Sequence, residues 1–177
     1  MTGHGVSSGA YFVIPDEPPR LILRNAGGVT AARKCSRLID NLFPKDVFMA
    51  IAYWCILITA LLPYLWVVVA KQSGQRYNNR DPRGWLARQE NPRTHRANAA
   101  QLNGFESFPA FVAGVLMAQL AGVPVATITV LAVAFTVARF LHGLFYVADQ
   151  HLLRSLVWFA GFASALALIA LAALRVG

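Results

Sequence analysis

Four apolar stretches, each as long as a membrane-spanning helix, are the feature of this 177-residue sequence that most restricts its fold. They cover residues 47–70, 99–120, 123–147 and 152–174. A helix needs about 20 residues to cross the hydrocarbon core of a bilayer. The hydrophobic content of 56% and the mean hydropathy of +0.49 are also too high for a typical soluble domain. We therefore expect an all-α integral membrane protein built as a four-transmembrane-helix bundle.

The segment ahead of the first span differs in composition from the rest of the chain. It contains Pro15, Pro18 and Pro19, then a basic stretch, and its apolar run is too short for a secretory signal. We predict that residues 1–46 form a disordered or extension tail and that residues 47–177 form the membrane domain. A translation start at Met49 is the alternative, since it would lead directly into a span.

Basic residues are concentrated between the first two spans. Seven of the sixteen lysines and arginines lie there, opposed only by Asp81 and Glu90: Lys71, Arg76, Arg80, Arg83, Arg88, Arg93 and Arg96. The positive-inside rule places such a segment in the cytoplasm, so we predict a multi-pass topology with the 71–96 loop cytoplasmic. Four spans would then export the basic tail, which is the reason for considering Met49 as the start. The chain has no nucleic-acid-binding motif, so we predict no nucleic-acid partner.

Two polar clusters interrupt the second and third spans, and the members of each share one helix face. They are Arg96, Asn103 and Glu106 in one span and Arg139, His142 and Tyr146 in the other. A charged residue inside a bilayer costs about 2.5–3.5 kcal/mol on insertion scales. We expect Glu106 and Arg139 to form an ion pair, because pairing offsets the cost of removing both from water. Such a pair could serve only to hold the two helices together, or it could support a ligand site beside it.

A third group of polar residues opens the fourth span on the same side of the membrane. Arg154 and Ser155 follow a short connection at residues 149–153 and would face His142 and Tyr146 across a cavity open to the cytosol. Arginines around a cavity flanked by lipid suit a ligand with an anionic head and a lipophilic tail. The two cysteines, Cys35 and Cys55, have no partner at metal-ligand spacing, so we predict no metal site.

Three motifs in this order resemble those of the MAPEG family, the membrane-associated proteins of eicosanoid and glutathione metabolism. The segment from Arg96 to Pro109 contains Asn103-x-x-Glu106, which resembles the core of the family's second-helix motif. Arg139-x-x-His142-x-x-x-Tyr146 and Arg154-Ser155 are similar to the third and fourth helices of the family's prostaglandin E synthases. The resemblance covers residues 49–174, and the residues in and around these motifs are most like those of bacterial members. It therefore implies a bacterial inner membrane.

The resemblance implies a homotrimer with glutathione bound between neighbouring subunits. Arg154 would stabilise the glutathione thiolate and Ser155 would donate a hydrogen bond to the sulfur, which makes them the catalytic residues. The remaining polar residues would bind or brace the tripeptide: Arg96, Asn103, Glu106, Arg139, His142 and Tyr146. The implied function is a membrane glutathione transferase or peroxidase-like protein acting on lipophilic electrophiles that arrive from the membrane lipid.

One departure from the family pattern keeps a second function open. Ala99 lies where the glutathione-using relatives carry an arginine, so one charge-assisted contact to a carboxylate is missing. The alternative is a non-catalytic member that binds a lipid or a protein partner. A proton-coupled multidrug transporter is a third possibility, but such transporters have short loops and a lone carboxylate in the first helix.

Overall fold

The computed structural model describes residues 45–177, and within that range the regular structure is entirely helical. The helices are α1 (Lys45–Ser73), α2 (Pro82–Ala87), α3 (Pro92–Leu120), α4 (Val125–Val147) and α5 (His151–Val176). The four predicted spans correspond to the four long helices α1, α3, α4 and α5. Residues 1–44 lie outside the described part of the chain, so the interpretation of the tail and of Met49 as an alternative start stays a prediction.

Three of the helices are long and apolar enough to cross a membrane: α1 from Asp46 to Ser73, α4 and α5. The expectation of an all-α protein with membrane-capable helices is thus confirmed for the described residues. The fourth span stays a prediction because the first half of α3 is polar, from Arg93 to Glu106. Asn91 caps this helix by accepting a hydrogen bond from the Arg93 amide at 3.0 Å, and Pro92 occupies its first turn.

Consecutive long helices run antiparallel, with α3 and α4 in the middle of the bundle. Each of these two helices packs against both α1 and α5. Residues 74–91 and the α4–α5 turn at residues 148–150 lie at one end, which we call the loop end. The α3–α4 turn at residues 121–124 lies at the opposite end, which we call the distal end. This arrangement brings side chains of α3, α4 and α5 together at the loop end.

Glycines allow the helices to approach closely at two interfaces. A Cβ at Gly114 of α3 would lie 3.2 Å from the Ala165 carbonyl oxygen of α5 and 3.0 Å from Leu168 Cβ. A Cβ at Gly143 of α4 would collide with the indole of Trp66 on α1. Small residues have this role in membrane bundles, where van der Waals contact replaces the hydrophobic drive to associate.

The distal half of the bundle has an apolar core. Phe111 of α3 and Phe135 of α4 stack with ring centroids 4.0 Å apart and planes 9° apart, and neither ring is exposed. Val115, Ile128 and Leu168 also belong to this core, and each is fully buried. Aromatic pairs of this kind contribute about 0.5–1.5 kcal/mol beyond the area that they bury. Shape therefore fixes how α3, α4 and α5 pack in this half.

The segment between α1 and α3 is folded rather than an open connection. Trp85 of α2 is buried, and its indole N–H donates to the carbonyl oxygens of Gln75 and Arg76, both at 3.1 Å. The buried Gln89 accepts from the Gln75 amide at 2.7 Å and donates to the Trp85 carbonyl at 2.9 Å. Asn91 donates from its side chain to the Ser73 carbonyl. These bonds close the segment over the ends of α1 and α3.

Both inter-helix turns that follow, at residues 121–124 and 148–150, end a helix with the same backbone pattern. The Val123 amide donates to the Ala118 carbonyl at 2.9 Å, and the Gln150 amide donates to the Phe145 carbonyl at 2.9 Å. This six-to-one bond belongs to the Schellman motif, whose next-to-last residue adopts a left-handed conformation. Gly122 has that position in one turn with φ of 70°, and Asp149 has it in the other with φ of 63°.

Candidate functional site

A cavity of about 210 Å³ lies at the loop end, between α3, α4 and α5. Its walls are Asn103, His142, Tyr146, Arg154, Ser155, Trp158 and Phe159. Five of these residues were singled out from the sequence, and they come from three different helices. The short α4–α5 turn brings the end of α4 beside the start of α5, so Tyr146 and Arg154 can meet.

Arg154 lies over the aromatic ring of Tyr146. Its guanidinium carbon is 4.4 Å from the ring centroid, a cation–π geometry. Within residues 45–177 no carboxylate pairs with Arg154. The contact with Tyr146 orients the guanidinium and leaves its N–H groups available. An anion in the cavity would therefore find a positioned and uncompensated cation.

Ser155 is already engaged in a hydrogen bond within its own helix. Its hydroxyl donates to the His151 carbonyl oxygen at 3.0 Å, four residues earlier. To donate to a sulfur in the cavity, the hydroxyl has to turn away from this carbonyl. Serine back-bonding of this type is weak, so the rotation carries a small cost.

His142 is buried at the side of the cavity. Its ring meets Tyr146 edge to face, with centroids 5.5 Å apart and planes 80° apart. The imidazole makes no hydrogen bond among the described residues, although it borders the cavity. Its two ring nitrogens, which can donate or accept according to tautomer, are thus free for a polar group of a ligand.

Arg139 lies beneath the cavity and holds its floor together. One terminal nitrogen donates to Asn103 Oδ1 at 2.8 Å, and the other donates to the Trp158 carbonyl oxygen at 3.3 Å. Gly161 gives the guanidinium room, since a Cβ there would lie 3.1 Å from Arg139 Nη2. Arg139 therefore joins α4 to both α3 and α5, and the direction of the Asn103 side chain is fixed by this bond.

The prediction of an ion pair between Glu106 and Arg139 is wrong: the two side chains form no such pair among the described residues. Asn103 lies between the two side chains: its oxygen accepts from Arg139, and its nitrogen is 3.4 Å from Glu106 Oε2. Glu106 is exposed on the surface of this single chain. Arg139 meets Asn103 instead of Glu106 because Asn103 is three residues closer to the loop end and faces α4 more directly.

Arg96 does not line the cavity. Its Nε donates to the Val147 carbonyl oxygen at 3.3 Å, and Nη1 pairs with Asp149 Oδ2 at 3.4 Å. These contacts tie the first turns of α3 to the α4–α5 turn. Of the eight residues singled out from the sequence, Arg96 therefore braces the turn, Arg139 braces the floor, and Glu106 lies outside the cavity.

Two aromatic side chains of the cavity wall were missed by the sequence analysis. Trp158 and Phe159 follow Arg154 and Ser155 by four residues each, so the helical repeat places them on the same faces. Trp158 also stacks on Phe162, with centroids 5.1 Å apart and planes 19° apart. The spacing could have revealed them, but aromatic residues in an apolar span are ordinarily interpreted as packing.

One comparison with known proteins gives a match. Residues 51–174 match the model of the MAPEG family, a range that includes every residue around the cavity. The matched range is more than half of the chain and confirms the resemblance carried by the three motifs. No curated protein and no solved structure matches the chain.

Proposed function

Because this chain belongs to the MAPEG family, we propose that it is a membrane-bound glutathione transferase with peroxidase-like capacity that acts on lipophilic electrophiles. The observation that carries the proposal is Arg154, whose guanidinium borders the cavity with no carboxylate partner among the described residues. Ser155, His142 and Tyr146 surround the same space. This set offers a cation and several hydrogen-bonding groups to one anionic ligand.

In the proposed reaction Arg154 stabilises the glutathione thiolate. The thiol releases its proton to water, since a cation beside a sulfur favours the ionised form. Ser155 turns its hydroxyl from the His151 carbonyl to the sulfur and adds a second stabilising contact. The thiolate is the nucleophile, so both residues act on the reacting atom.

The remaining residues of the cavity hold the peptide part of glutathione. Asn103 is oriented by Arg139, and His142 and Tyr146 present a ring nitrogen and a hydroxyl. The cavity of about 210 Å³ is smaller than the roughly 300–1,000 Å³ of usual small-molecule sites. The proposal therefore includes a homotrimer, in which a neighbouring subunit would complete each site.

The electrophile would reach the sulfur from the bilayer. Phe159 is exposed on the surface of α5 beside the cavity, and Trp158 lies next to it. These rings give an apolar substrate a path along the helix. For a transfer reaction the sulfur bonds to the electrophilic carbon while the leaving group departs with its electron pair. For a hydroperoxide the thiolate attacks oxygen, and a second glutathione completes the reduction to alcohol, water and glutathione disulfide.

The test is the ultraviolet absorbance of the thiolate when glutathione is added to the purified protein in detergent. We expect a thiolate signal in the wild type and its loss in Arg154→Ala, with a fall in transfer rate of about 100-fold or more, as for one lost charge-stabilising donor. Arg93→Ala is the matched control, because Arg93 is exposed at the same end of the bundle and does not border the cavity. An unchanged signal in Arg154→Ala would remove the basis of the proposal.

Ala99 favours a second candidate function. It lies one helical turn before Asn103, on a similar face, and supplies no charge for a glutathione carboxylate. The second candidate is a non-catalytic member of the family that uses the cavity to bind a lipid or a partner. Absence of any thiolate signal in the wild type at millimolar glutathione would favour this candidate over the enzyme.

The basic loop supports a cytoplasmic position for the cavity. The loop end carries the exposed arginines of residues 76–93, which the positive-inside rule assigns to the cytoplasmic side of the membrane. In this orientation the cavity of a bacterial inner-membrane protein would open to the cytoplasm, and glutathione would enter it from that side. Labelling of a cysteine introduced at Arg83 by an impermeant reagent would test the orientation: protection in intact cells supports it.

A further inference from the structure

The α4–α5 turn contains the acidic residue that lies nearest to Arg154 along the chain. Asp149 precedes Arg154 by five residues, and it is the one acidic residue after Glu106 in the sequence. The Asp149 amide donates to the Tyr146 carbonyl oxygen at 3.3 Å, and the Arg154 guanidinium lies over the Tyr146 ring. Asp149 and Arg154 therefore contact the same residue, one through its backbone and the other through its ring.

An ion pair between Asp149 and Arg154 is within reach of the two side chains. The Arg154 amide donates to the Gln150 carbonyl oxygen at 2.9 Å, so Arg154 lies one helical turn after the residue that follows Asp149. One such step of four residues rises about 6 Å along a helix. Arginine side chains bridge this distance in ordinary ion pairs between neighbouring helical turns. A pair formed here would compensate the cation that borders the cavity.

In the observed structure Arg96 of α3 holds this carboxylate instead. Its Nη1 is 3.4 Å from Asp149 Oδ2, and its Nε donates to the Val147 carbonyl oxygen at 3.3 Å. The Arg96 side chain is 28% exposed and the Asp149 side chain 71%, so the arginine is the more firmly packed partner. The Asp149 carboxylate is thus directed to α3 rather than to Arg154 on α5.

The geometry of the turn does not by itself call for an acidic residue. Asp149 has a φ of 63°, and the equivalent position of the α3–α4 turn is Gly122 with a φ of 70°. Glycine adopts this conformation freely, whereas aspartate is only tolerated in it. Exposed ion pairs also contribute little to stability. The main effect of the pair between Arg96 and Asp149 is therefore on the charge beside Arg154.

We propose that Arg96 is a positioning residue of the candidate site, which keeps the Asp149 carboxylate away from Arg154 and so leaves the Arg154 guanidinium free for an anion. Arg96 acts through Asp149 and does not touch the ligand. This role rests on the function proposed above, in which the anion is the glutathione thiolate. A carboxylate paired with Arg154 would compete with the sulfur for one cation and would favour the protonated thiol.

The first test is the thiolate absorbance of the full chain in detergent with saturating glutathione at constant pH. Arg96→Gln should lower the signal up to about fivefold, the equivalent of one exposed ion pair. Asp149→Asn alone should not lower it, and Arg96→Gln combined with Asp149→Asn should recover the wild-type signal, because no carboxylate is left to compete. Arg96→Lys should keep most of the signal. Arg93→Gln is the matched control, since it removes an exposed cation of α3 that does not border the cavity.

A second test needs no glutathione. The denaturation midpoint in mixed micelles of mild detergent and dodecyl sulfate is measured for Asp149→Asn, Arg154→Ala and their combination. With Arg96 present, we expect the two effects to add, as they do for residues that do not interact. In an Arg96→Gln background they should no longer add, because Asp149 then pairs with Arg154. Additive effects in both backgrounds would overturn the role of Arg96.

The two tests separate this role from the function on which it rests. A wild type without any thiolate signal counts against the glutathione function, and the additivity measurement still decides whether Arg96 keeps Asp149 from Arg154. A signal that is lost in Arg154→Ala but unchanged in Arg96→Gln would remove only the role of Arg96. A double variant with a signal as low as that of Arg96→Gln would also overturn it, by assigning the effect to the bond between Arg96 and the Val147 carbonyl.

Discussion

At the distal end Phe111 and Phe135 stack in a core with no polar side chain between them, whereas at the loop end Arg139 and His142 are each only 4% exposed. The stacked rings pack mainly through apolar contact, although the Arg139 guanidinium lies 5.3 Å from the centroid of the Phe135 ring. Arg139 is held by directed hydrogen bonds to Asn103 and to a backbone carbonyl of α5. The two halves of one bundle are therefore equally buried but stabilised in different ways.

This difference separates the half that contains the candidate site from the half that does not. Apolar packing like that of the distal end would be sufficient to join α3, α4 and α5, and it carries no desolvation cost. A buried arginine carries such a cost, and Arg139 Nε has no hydrogen-bond partner among the described residues. The polar floor at the loop end carries this cost, and its two hydrogen bonds hold the Asn103 side chain and the Trp158 carbonyl beside the cavity.

The largest expected loss of stability comes from a substitution in the core of the distal half. Phe111→Ala removes one ring of the fully buried stack, and we expect a loss of about 3–5 kcal/mol in the free energy of unfolding. The measurement is the denaturation midpoint in mixed micelles of mild detergent and dodecyl sulfate. Leu116→Ala is the control, since Leu116 is exposed on the same helix and should cost far less. Similar losses in the two variants would contradict the core assigned here.

A smaller effect is expected from breaking the polar floor. Asn103→Ala leaves a terminal nitrogen of Arg139 without its acceptor, which should cost about 1–3 kcal/mol in the same assay. The double variant Asn103→Ala with Arg139→Met should recover most of this loss, because removing both partners leaves no unpaired charge. A double variant less stable than Asn103→Ala alone would show that Arg139 stabilises the bundle in its own right.

A gain is expected from adding a charge to the loop end. Ala99→Arg adds a cation one turn before Asn103, and we expect the dissociation constant of glutathione to fall about tenfold through one charge-assisted contact. Equilibrium binding in detergent measures this change. Ala99→Gln separates charge from size, since it adds a polar side chain of intermediate length. An unchanged dissociation constant in Ala99→Arg would mean that no carboxylate of glutathione reaches this face of α3.

The smallest effect concerns the exposed ion pair that braces the α4–α5 turn. Asp149→Asn keeps a residue that tolerates the left-handed conformation and removes the charge that pairs with Arg96. We expect a loss of at most about 1 kcal/mol that diminishes with added salt, as for other exposed pairs. A double-mutant cycle with Arg96→Gln measures the coupling. A salt-independent loss would assign the effect to the backbone of the turn.

The limits of the helices could be predicted from the sequence because capping residues, prolines and the ends of apolar stretches mark them locally. Pro92 after Asn91 marks the start of α3, and the apolar stretches end within a few residues of the observed helices. The folded segment between α1 and α3 was less predictable. Its centre is Trp85, one buried aromatic residue among charged neighbours, and its bonds run mainly to backbone carbonyls that no sequence pattern identifies.

The candidate site was predicted in part for the same reason. Helical periodicity placed His142 and Tyr146 on one face of α4 and brought Arg154 near them across a short turn. It did not give the rotation of α3 about its own axis, which decides whether Asn103 or Glu106 meets Arg139. The second acceptor of Arg139 is the carbonyl of Trp158, a group that every residue possesses and that only the assembled helices reveal.

Gly161 fixes the rotation of α5 about its own axis. The space that its missing side chain leaves is filled by the Arg139 guanidinium, so a rotation of α5 by one residue would drive Phe162 or Ala160 into that space. Gly161 follows Arg154 by seven residues, almost two full turns, so the two lie on the same side of the helix. The direction in which Arg154 faces the cavity is therefore set about two turns deeper in the bundle, at the buried contact between Gly161 and Arg139.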